Sequence, residues 1–140
     1  AKPNSVNVDE LFGIYSFKTL HQMISTVSCD LKREVSFKDI IHATFPMGSM
    51  TGAPKIKAME LIEKYEKNKR GIYSGSIGYI LPNGDFDFNV VIRSIIYDQK
   101  NKYLSFSVGS AITAYANPEK EYEECLLKAK AMKMALGIND

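Results

Sequence analysis

Residues 46–55 read PMGSMTGAPK and lie directly before an amphipathic helical pattern. The stretch holds glycines, hydroxyl side chains and a lysine, so its backbone N–H groups and hydroxyls could bind an anion at a helix N-terminus. Its glycines are four residues apart and Lys55 follows the second by three, which departs from the GxxxxGK spacing of a phosphate loop. Two interpretations therefore stay open: a site for a small carboxylated ligand, or a turn that only starts a helix, with a Ser or Thr cap and Pro54 in the first helical position.

The composition is that of an ordinary globular domain. The 140 residues are 45% hydrophobic and 24% charged, and this length is enough for one domain. A net charge of +2 is too small to indicate nucleic acid or an anionic membrane as a partner. We find neither a bilayer-spanning apolar run nor a signal-peptide pattern, so a cytoplasmic location is expected. Cys29 and Cys125 lack the spacing of a metal site and are expected to be reduced thiols.

The first half of the chain favours helices. Residues 1–17 are polar without a sustained period and are predicted to be a weakly ordered lead. A helix is expected from about Lys18 to Leu31, because apolar residues recur there at three- and four-residue intervals: Leu20, Met23, Ile24, Val27 and Leu31. Ser36 is predicted to cap a second short helix, with Asp39 as its acidic partner. A third helix is predicted after Pro54, with its apolar side formed by Ile56, Met59, Leu61, Ile62 and Tyr65.

The second half changes to the two-residue period of strands. Strands are predicted over residues 73–81 and 85–97, joined by a tight turn at Asn83-Gly84, and a third over 102–108. Asn117 is expected to cap a last helix that ends at Gly137. The predicted fold class is α+β, an antiparallel β-meander packed with helices. Edge strands without partners would make the isolated chain prone to association.

Five segments of the sequence occur in a recognisable order. They are PMGSMTGAPKIKAMELIEKY at 46–65, the RGIYSG block with Gly78-Tyr79, residues 85–94 ending in Ile92-Arg93-Ser94, Gly109-Ser110-Ala111, and NPEKEYEE at 117–124. Together they resemble the C-terminal part of the chorismate-utilising enzymes. The resemblance implies that residues 1–140 are the C-terminal part of a larger chorismate-binding fold, and that a portion of the catalytic chain before Ala1 is missing.

Glu121 and Glu124 are candidate metal ligands. They are three residues apart near the start of the last predicted helix, so their side chains project from the same side. Two carboxylates could hold Mg²⁺ together with waters and a substrate oxygen, but acidic residues also favour a helix N-terminus through the dipole alone. The resemblance implies the first alternative, with Glu124 matching a direct Mg²⁺ ligand of the family and Glu121 its neighbour in the site.

Further residues are implied to bind chorismate. Arg93 lies in an apolar predicted strand, where a guanidinium needs an anion or solvent, and an edge salt bridge would also satisfy it. The resemblance implies that Arg93 binds a substrate carboxylate and that Tyr73 assists it. It also implies that the backbone N–H groups of Gly109, Ser110 and Ala111 meet a carboxylate, although Ala111 stands where the family usually has a second glycine. Ser49 matches a hydroxyl residue that contacts the substrate.

His21 is the candidate proton donor. A histidine can transfer a proton near physiological pH, although a histidine in a predicted helix is more often a packing residue. The resemblance implies that His21 lies close to the ring carbon of chorismate that loses its hydroxyl. An acid at that position would assist the departure of water.

The loop sequence favours one reaction within the family. Gly48-Ser49-Met50-Thr51-Gly52 is similar to the members that aminate chorismate at the 4-position, in the route to p-aminobenzoate and folate. The resemblance implies a separate glutamine amidotransferase subunit as the partner that supplies ammonia. The alternatives are amination with loss of pyruvate, in the route to tryptophan, and a catalytically inert fragment. The 140-residue chain alone is expected to be inactive.

Overall fold

The computed structural model describes residues 1–17 and 21–138, and the chain divides into two compact units. The first unit is Ala1–Thr44 and the second is Phe45–Asp140. Within the described residues, no helix has the length and apolar content needed to span a bilayer.

The first unit begins with a β-hairpin. Strand β1, Asn7–Ser16, pairs antiparallel with β2, His21–Ser28, from Asn7 opposite Ser28 to Ser16 opposite His21. The register is irregular between Val8 and Gly13, and Phe12 takes a positive φ of 56° there. The amide of Phe12 donates to the Ser25 hydroxyl at 3.1 Å.

This hairpin contradicts two predictions from the sequence. Residues 7–16 are a strand rather than a weakly ordered lead, and residues 21–28 are a strand rather than part of a helix. Leu20 of the predicted apolar stripe lies outside the described residues. The helical spacing was misleading because Ile24, Thr26 and Val27 are β-branched and pack well on a pleated surface once a partner strand is present.

Helix α1, Phe37–Thr44, follows the hairpin and confirms the predicted capping box. The amide of Asp39 donates to the Ser36 hydroxyl at 3.2 Å, and the amide of Ser36 donates back to the Asp39 carboxylate at 2.9 Å. These bonds favour the ionised carboxylate, and the Ser36 hydroxyl in particular lowers the pKa of Asp39.

The second unit contains two helices and two hairpins. Helix α2 covers Lys55–Tyr65, with Pro54 in the N-cap position and without a side-chain cap. The expectation of a Ser or Thr cap with Pro54 in the first helical position is therefore wrong, while the helix itself is confirmed. The later helix α3, Pro118–Ala135, confirms its predicted cap, since the Asn117 side chain accepts a hydrogen bond from the amide of Lys120 at 3.0 Å.

The strands of the second unit form antiparallel hairpins, which agrees with the predicted α+β class, but the hairpins are separate two-stranded sheets rather than one continuous β-meander. Strand β3, Ser76–Ile80, pairs with β4, Phe86–Val90, and Gly84 supplies the positive φ of 93° in their turn. Strand β5, Ile95–Asp98, pairs with β6, Tyr103–Phe106. Residues 85–97 are thus not the single predicted strand, because the backbone leaves the extended conformation at Arg93, whose φ is 51°.

Burial is very limited. Of the described residues, Val91 is the one buried hydrophobic residue and Ser74 the one buried polar residue. The accessible surface is 11828 Å², whereas two separate compact domains of these sizes would expose about 8,700 Å². Many large apolar side chains are therefore open to solvent, among them Ile14, Ile112, Tyr122, Leu127 and Met134. Both cysteines are free, and Cys29 is exposed.

The open apolar surface predicts association of the isolated chain. We expect the 140-residue chain to enhance the fluorescence of the dye ANS and to sediment as a concentration-dependent mixture of species, because exposed apolar patches of this extent bind one another. Replacing exposed Leu127 with Gln should reduce ANS binding while leaving the helical circular dichroism unchanged. A monodisperse monomer that does not bind ANS would contradict the prediction.

Candidate functional site

A cluster of polar groups forms where the segment after β6 meets the start of α3. The Ser110 hydroxyl donates a hydrogen bond to Oε2 of Glu121, which lies in the first turn of α3. Ser110 and Glu121 are both half-buried. The helix begins sharply at the Asn117 cap and Pro118, so Glu121 has a defined position relative to the preceding loop.

The second carboxylate of this cluster is Glu124, one helical turn further along. The pKa of Glu124 is lowered chiefly by a hydrogen bond from Lys128, and Ser110 contributes in the same direction. A hydroxyl has one proton to donate, so it serves one carboxylate at a time. The hydrogen bond that the structure gives the Ser110 hydroxyl goes to Glu121, and Glu124 lies three residues further along the same helix.

Lys128 was not predicted as part of the site. Its ammonium lies 2.6 Å from Oε1 of Glu124 and donates to the backbone carbonyl of Gly109 at 2.9 Å. It thus ties α3 to the Gly109-Ser110 segment and balances charge beside the carboxylates. The signal in the sequence was the glutamate-to-lysine spacing of four residues, which brings the two side chains together on a helix.

The carboxylate pair has the chemistry of a partial magnesium site. Mg²⁺ prefers oxygen ligands and commonly uses one or two carboxylates, with waters and substrate oxygens completing its octahedron. The part of the chain that the structure describes has no group of three or more His, Cys, Asp or Glu side chains that could hold a metal. Carboxylate oxygens are chemically suited to be two of the ligands of such a cation, and a magnesium site at Glu121 and Glu124 stays a prediction.

Tyr73 approaches the same segment from another part of the unit. A Cβ built on Gly109 would lie 2.9 Å from the Tyr73 hydroxyl, which is closer than real Cβ contacts allow. Glycine at 109 is therefore what lets the phenol reach the backbone here. The structure brings together five of the predicted site residues: Tyr73, Gly109, Ser110, Glu121 and Glu124. Ala111 follows directly and is exposed.

Ser49 is exposed and lies in a turn that is held mainly by the Met47 carbonyl. The Met47 carbonyl accepts hydrogen bonds from the amide of Met50 at 3.0 Å, from the amide of Thr51 at 3.1 Å and from the Thr51 hydroxyl at 2.9 Å. Lys55, at the start of α2, donates to the Phe45 carbonyl at 3.4 Å. The loop is thus a structured turn that presents the Ser49 side chain outward.

Arg93 and His21 lie in different settings from those expected. Arg93 is exposed and lies in the break between β4 and β5 rather than within a strand. His21 begins strand β2 rather than lying in a helix, and its Nδ1 is 2.9 Å from the Ser16 hydroxyl across the hairpin. His21 belongs to the first compact unit, whereas the cluster around Ser110 belongs to the second.

Comparison with known proteins identifies the family. The chorismate binding enzyme family matches residues 1–134, and the chain belongs to this family. A structure of anthranilate synthase component I from Streptococcus pneumoniae is similar, with a TM-score of 0.82 and 35% sequence identity over 91% of this chain and 29% of that one. The α+β fold is accordingly a part of the chorismate-binding fold, as the sequence predicted.

Curated relatives also cover nearly all of this chain. Aminodeoxychorismate synthase, chloroplastic, from Arabidopsis thaliana is 44% identical over 130 residues, which are 93% of this chain and 14% of the relative. Aminodeoxychorismate synthase component 1 from Bacillus subtilis is 39% identical over 136 residues, or 97% of this chain and 28% of the relative. The chain thus spans less than a third of the length of these relatives.

The close approach of Tyr73 to Gly109 gives a test of the cluster. Gly109→Ala should push the phenol away by a few tenths of an ångström and shift the NMR signals of Tyr73 in a chain labelled on its tyrosine rings. Gly48→Ala is the matched control, because a Cβ at Gly48 would meet nothing within 4 Å. Equal effects of the two substitutions on Tyr73 would show that the phenol does not lie against Gly109.

Proposed function

We propose that this chain forms part of the chorismate site of an aminodeoxychorismate synthase component I. Such an enzyme aminates chorismate to 4-amino-4-deoxychorismate, which leads to p-aminobenzoate and folate. Support comes from the relative in Arabidopsis thaliana, which is named aminodeoxychorismate synthase, and the relative in Bacillus subtilis, which is named aminodeoxychorismate synthase component 1. The loop sequence Gly48-Ser49-Met50-Thr51-Gly52 favours the same branch of the family.

The single observation that carries the proposal is the cluster of Tyr73, Gly109, Ser110 and Glu121. In this cluster the phenol of Tyr73 lies beside the backbone of Gly109, and the neighbouring Ser110 hydroxyl donates to the carboxylate of Glu121. Chorismate is a dicarboxylate with a hydroxyl leaving group, so its site needs hydrogen-bond donors for the carboxylates and a cation near the developing charge. The Tyr73 hydroxyl and the N–H groups of residues 109–111 are suited to the first task.

The remaining groups take complementary roles in the proposal. Glu124 and Glu121 would hold Mg²⁺, which when bound supplies a Lewis acid for substrate oxygens. Arg93 would pair with a carboxylate of chorismate through a charge-assisted hydrogen bond, and the Ser49 hydroxyl would contact the substrate. His21 would donate a proton to the departing hydroxyl, which requires its imidazolium form.

The partner and location are part of the same proposal. The Bacillus subtilis relative is named as a component, which supports a second component that supplies ammonia, proposed here as a glutamine amidotransferase subunit. A cytoplasmic location stays a prediction, and the Arabidopsis thaliana relative is named as chloroplastic. The second candidate function is anthranilate synthase component I, which the similar structure from Streptococcus pneumoniae favours.

A pair of chimeras tests the choice between these functions. This chain would replace its matching segment in the Bacillus subtilis aminodeoxychorismate synthase component 1, and in parallel in the Streptococcus pneumoniae anthranilate synthase component I. With chorismate, Mg²⁺ and ammonia, we expect the first chimera to form 4-amino-4-deoxychorismate. For each chimera, the fraction retained is its kcat/KM divided by that of its host enzyme. We expect the fraction retained by the first chimera to be at least about ten times that of the second, which corresponds to about 1.4 kcal/mol of transition-state stabilisation.

Product analysis decides the outcome of this experiment. Mass spectrometry quantifies 4-amino-4-deoxychorismate, and fluorescence quantifies anthranilate. Greater retained activity in the anthranilate synthase host would favour the second candidate, and inactivity in both hosts would favour the inert alternative. The 140-residue chain alone should give no product under the same conditions, and measurable turnover by it would contradict the proposal that the site is only partly formed.

Arg93→Ala tests the proposed carboxylate contact. In the first chimera it should lower kcat/KM for chorismate, because a charge-assisted hydrogen bond to the substrate is lost. The decrease should correspond to a loss of about 1.5–3 kcal/mol of transition-state stabilisation. Lys100→Ala removes an exposed cation in the turn between β5 and β6 and serves as the control. Unchanged kinetics in the Arg93 variant would remove this residue from the site.

A further inference from the structure

Arg70 joins its own neighbours in sequence, Glu66 and Ser74, to a turn twenty residues earlier in the chain. Its Nη1 donates to the Met50 carbonyl of the Ser49 turn at 2.6 Å and to the Ser74 hydroxyl at 3.0 Å. Its Nε and Nη2 donate to the carboxylate of Glu66, just after α2, at 2.9 and 2.5 Å. One guanidinium therefore connects the turn at 47–51, the end of α2 and the turn at 70–75.

The contact with Ser74 reaches the best-packed point of the described chain. Ser74 and Val91 are the two buried residues there, at 7% and 6% exposure. The Ser74 amide donates to the Val91 carbonyl at 2.9 Å, and the Val91 amide donates to the Gly75 carbonyl at 3.0 Å. Ser74 also has a positive φ of 62°, a strained conformation for a residue with a side chain. The surrounding hydrogen bonds must therefore hold this turn in place.

An arginine is the side chain that suits this position. The guanidinium is planar and presents several N–H donors in fixed directions, so it can serve a carboxylate on one side and neutral oxygens on another. Glu66 balances its charge, and the hydrogen bonds from Arg70 lower the pKa of Glu66. A lysine ammonium is a point charge with rotating donors, and it cannot match the same three acceptors at once.

We propose that Arg70 is a positioning residue, which fixes the Ser49 turn and the Tyr73 turn relative to each other so that both meet the same substrate. This inference rests on the proposed function. Arg70 does not touch the substrate in this proposal. It acts through the Met50 carbonyl, next to Ser49, and through the Ser74 hydroxyl, next to Tyr73.

Hydrogen exchange in the 140-residue chain tests the structural half of the proposal. In the Arg70→Lys variant, peptides covering residues 47–51 and 70–75 should exchange at least about five times faster, while peptides from α3 should not change. Arg33→Lys, at an exposed arginine of the first unit, is the matched control. Unchanged exchange in both peptides of the Arg70 variant would overturn the proposal.

Steady-state kinetics in the Bacillus subtilis chimera test the functional half. Arg70→Lys should raise KM for chorismate about tenfold while kcat stays within about twofold, since the chemical groups remain but the substrate contacts are misaligned. Glu66→Gln keeps the donors of Arg70 for Met50 and Ser74, and should raise KM less than threefold. An active chimera with unchanged KM in the Arg70 variant would overturn the proposal alone, whereas an inactive parent chimera would overturn the proposed function together with it.

Discussion

The paired backbone hydrogen bonds between Val91 and the Ser74-Gly75 turn are the constraint on which the second unit depends. They lie at the two buried residues of the described chain and connect the segment before β3 to the end of β4. Because Ser74 is buried with a positive φ, this turn keeps its form only while its polar groups are satisfied. Arg70 donates a hydrogen bond to the Ser74 hydroxyl and another to the Met50 carbonyl, and it thereby connects this turn to the loop before α2.

The second organising contact lies between the segment at 109–110 and α3. Each polar group here has a partner. The Ser110 hydroxyl donates to Glu121, and the Lys128 ammonium contacts both Glu124 and the Gly109 carbonyl. A carboxylate pair on one side of a helix would repel itself without such partners, so Lys128 stabilises the arrangement electrostatically. The hydrogen bond from Lys128 lowers the pKa of Glu124 and so favours its ionised form, which is the form that binds cations.

The sequence predicted the features whose causes are local. Helices α1 and α3 follow from caps that lie within three residues of their partners, and the β3–β4 turn follows from Asn83-Gly84. The spacing of Glu121 and Glu124 on one helix predicted their proximity for the same reason. The β1–β2 hairpin was missed because its register joins residues as far apart as Asn7 and Ser28, and side-chain spacing alone did not reveal a partner strand. Arg70 was missed as an organising residue because its contact with Met50 spans twenty positions.

A complete binding site usually gives hydrogen-bond partners to its buried polar groups and also buries its apolar side chains. The described part of this chain does the first but not the second. The described polar side chains that are buried all have hydrogen-bond partners, whereas large apolar side chains such as Ile112 and Leu127 stay open to solvent. Polar satisfaction is therefore achieved within this chain, and apolar burial is not. Exposed apolar surface of this extent is typical of surfaces that pack against other protein. The relative orientation of Ser110 and Glu121 consequently depends on the hydrogen bond between them, whereas the exclusion of water around them depends on the protein surface that covers the apolar side chains.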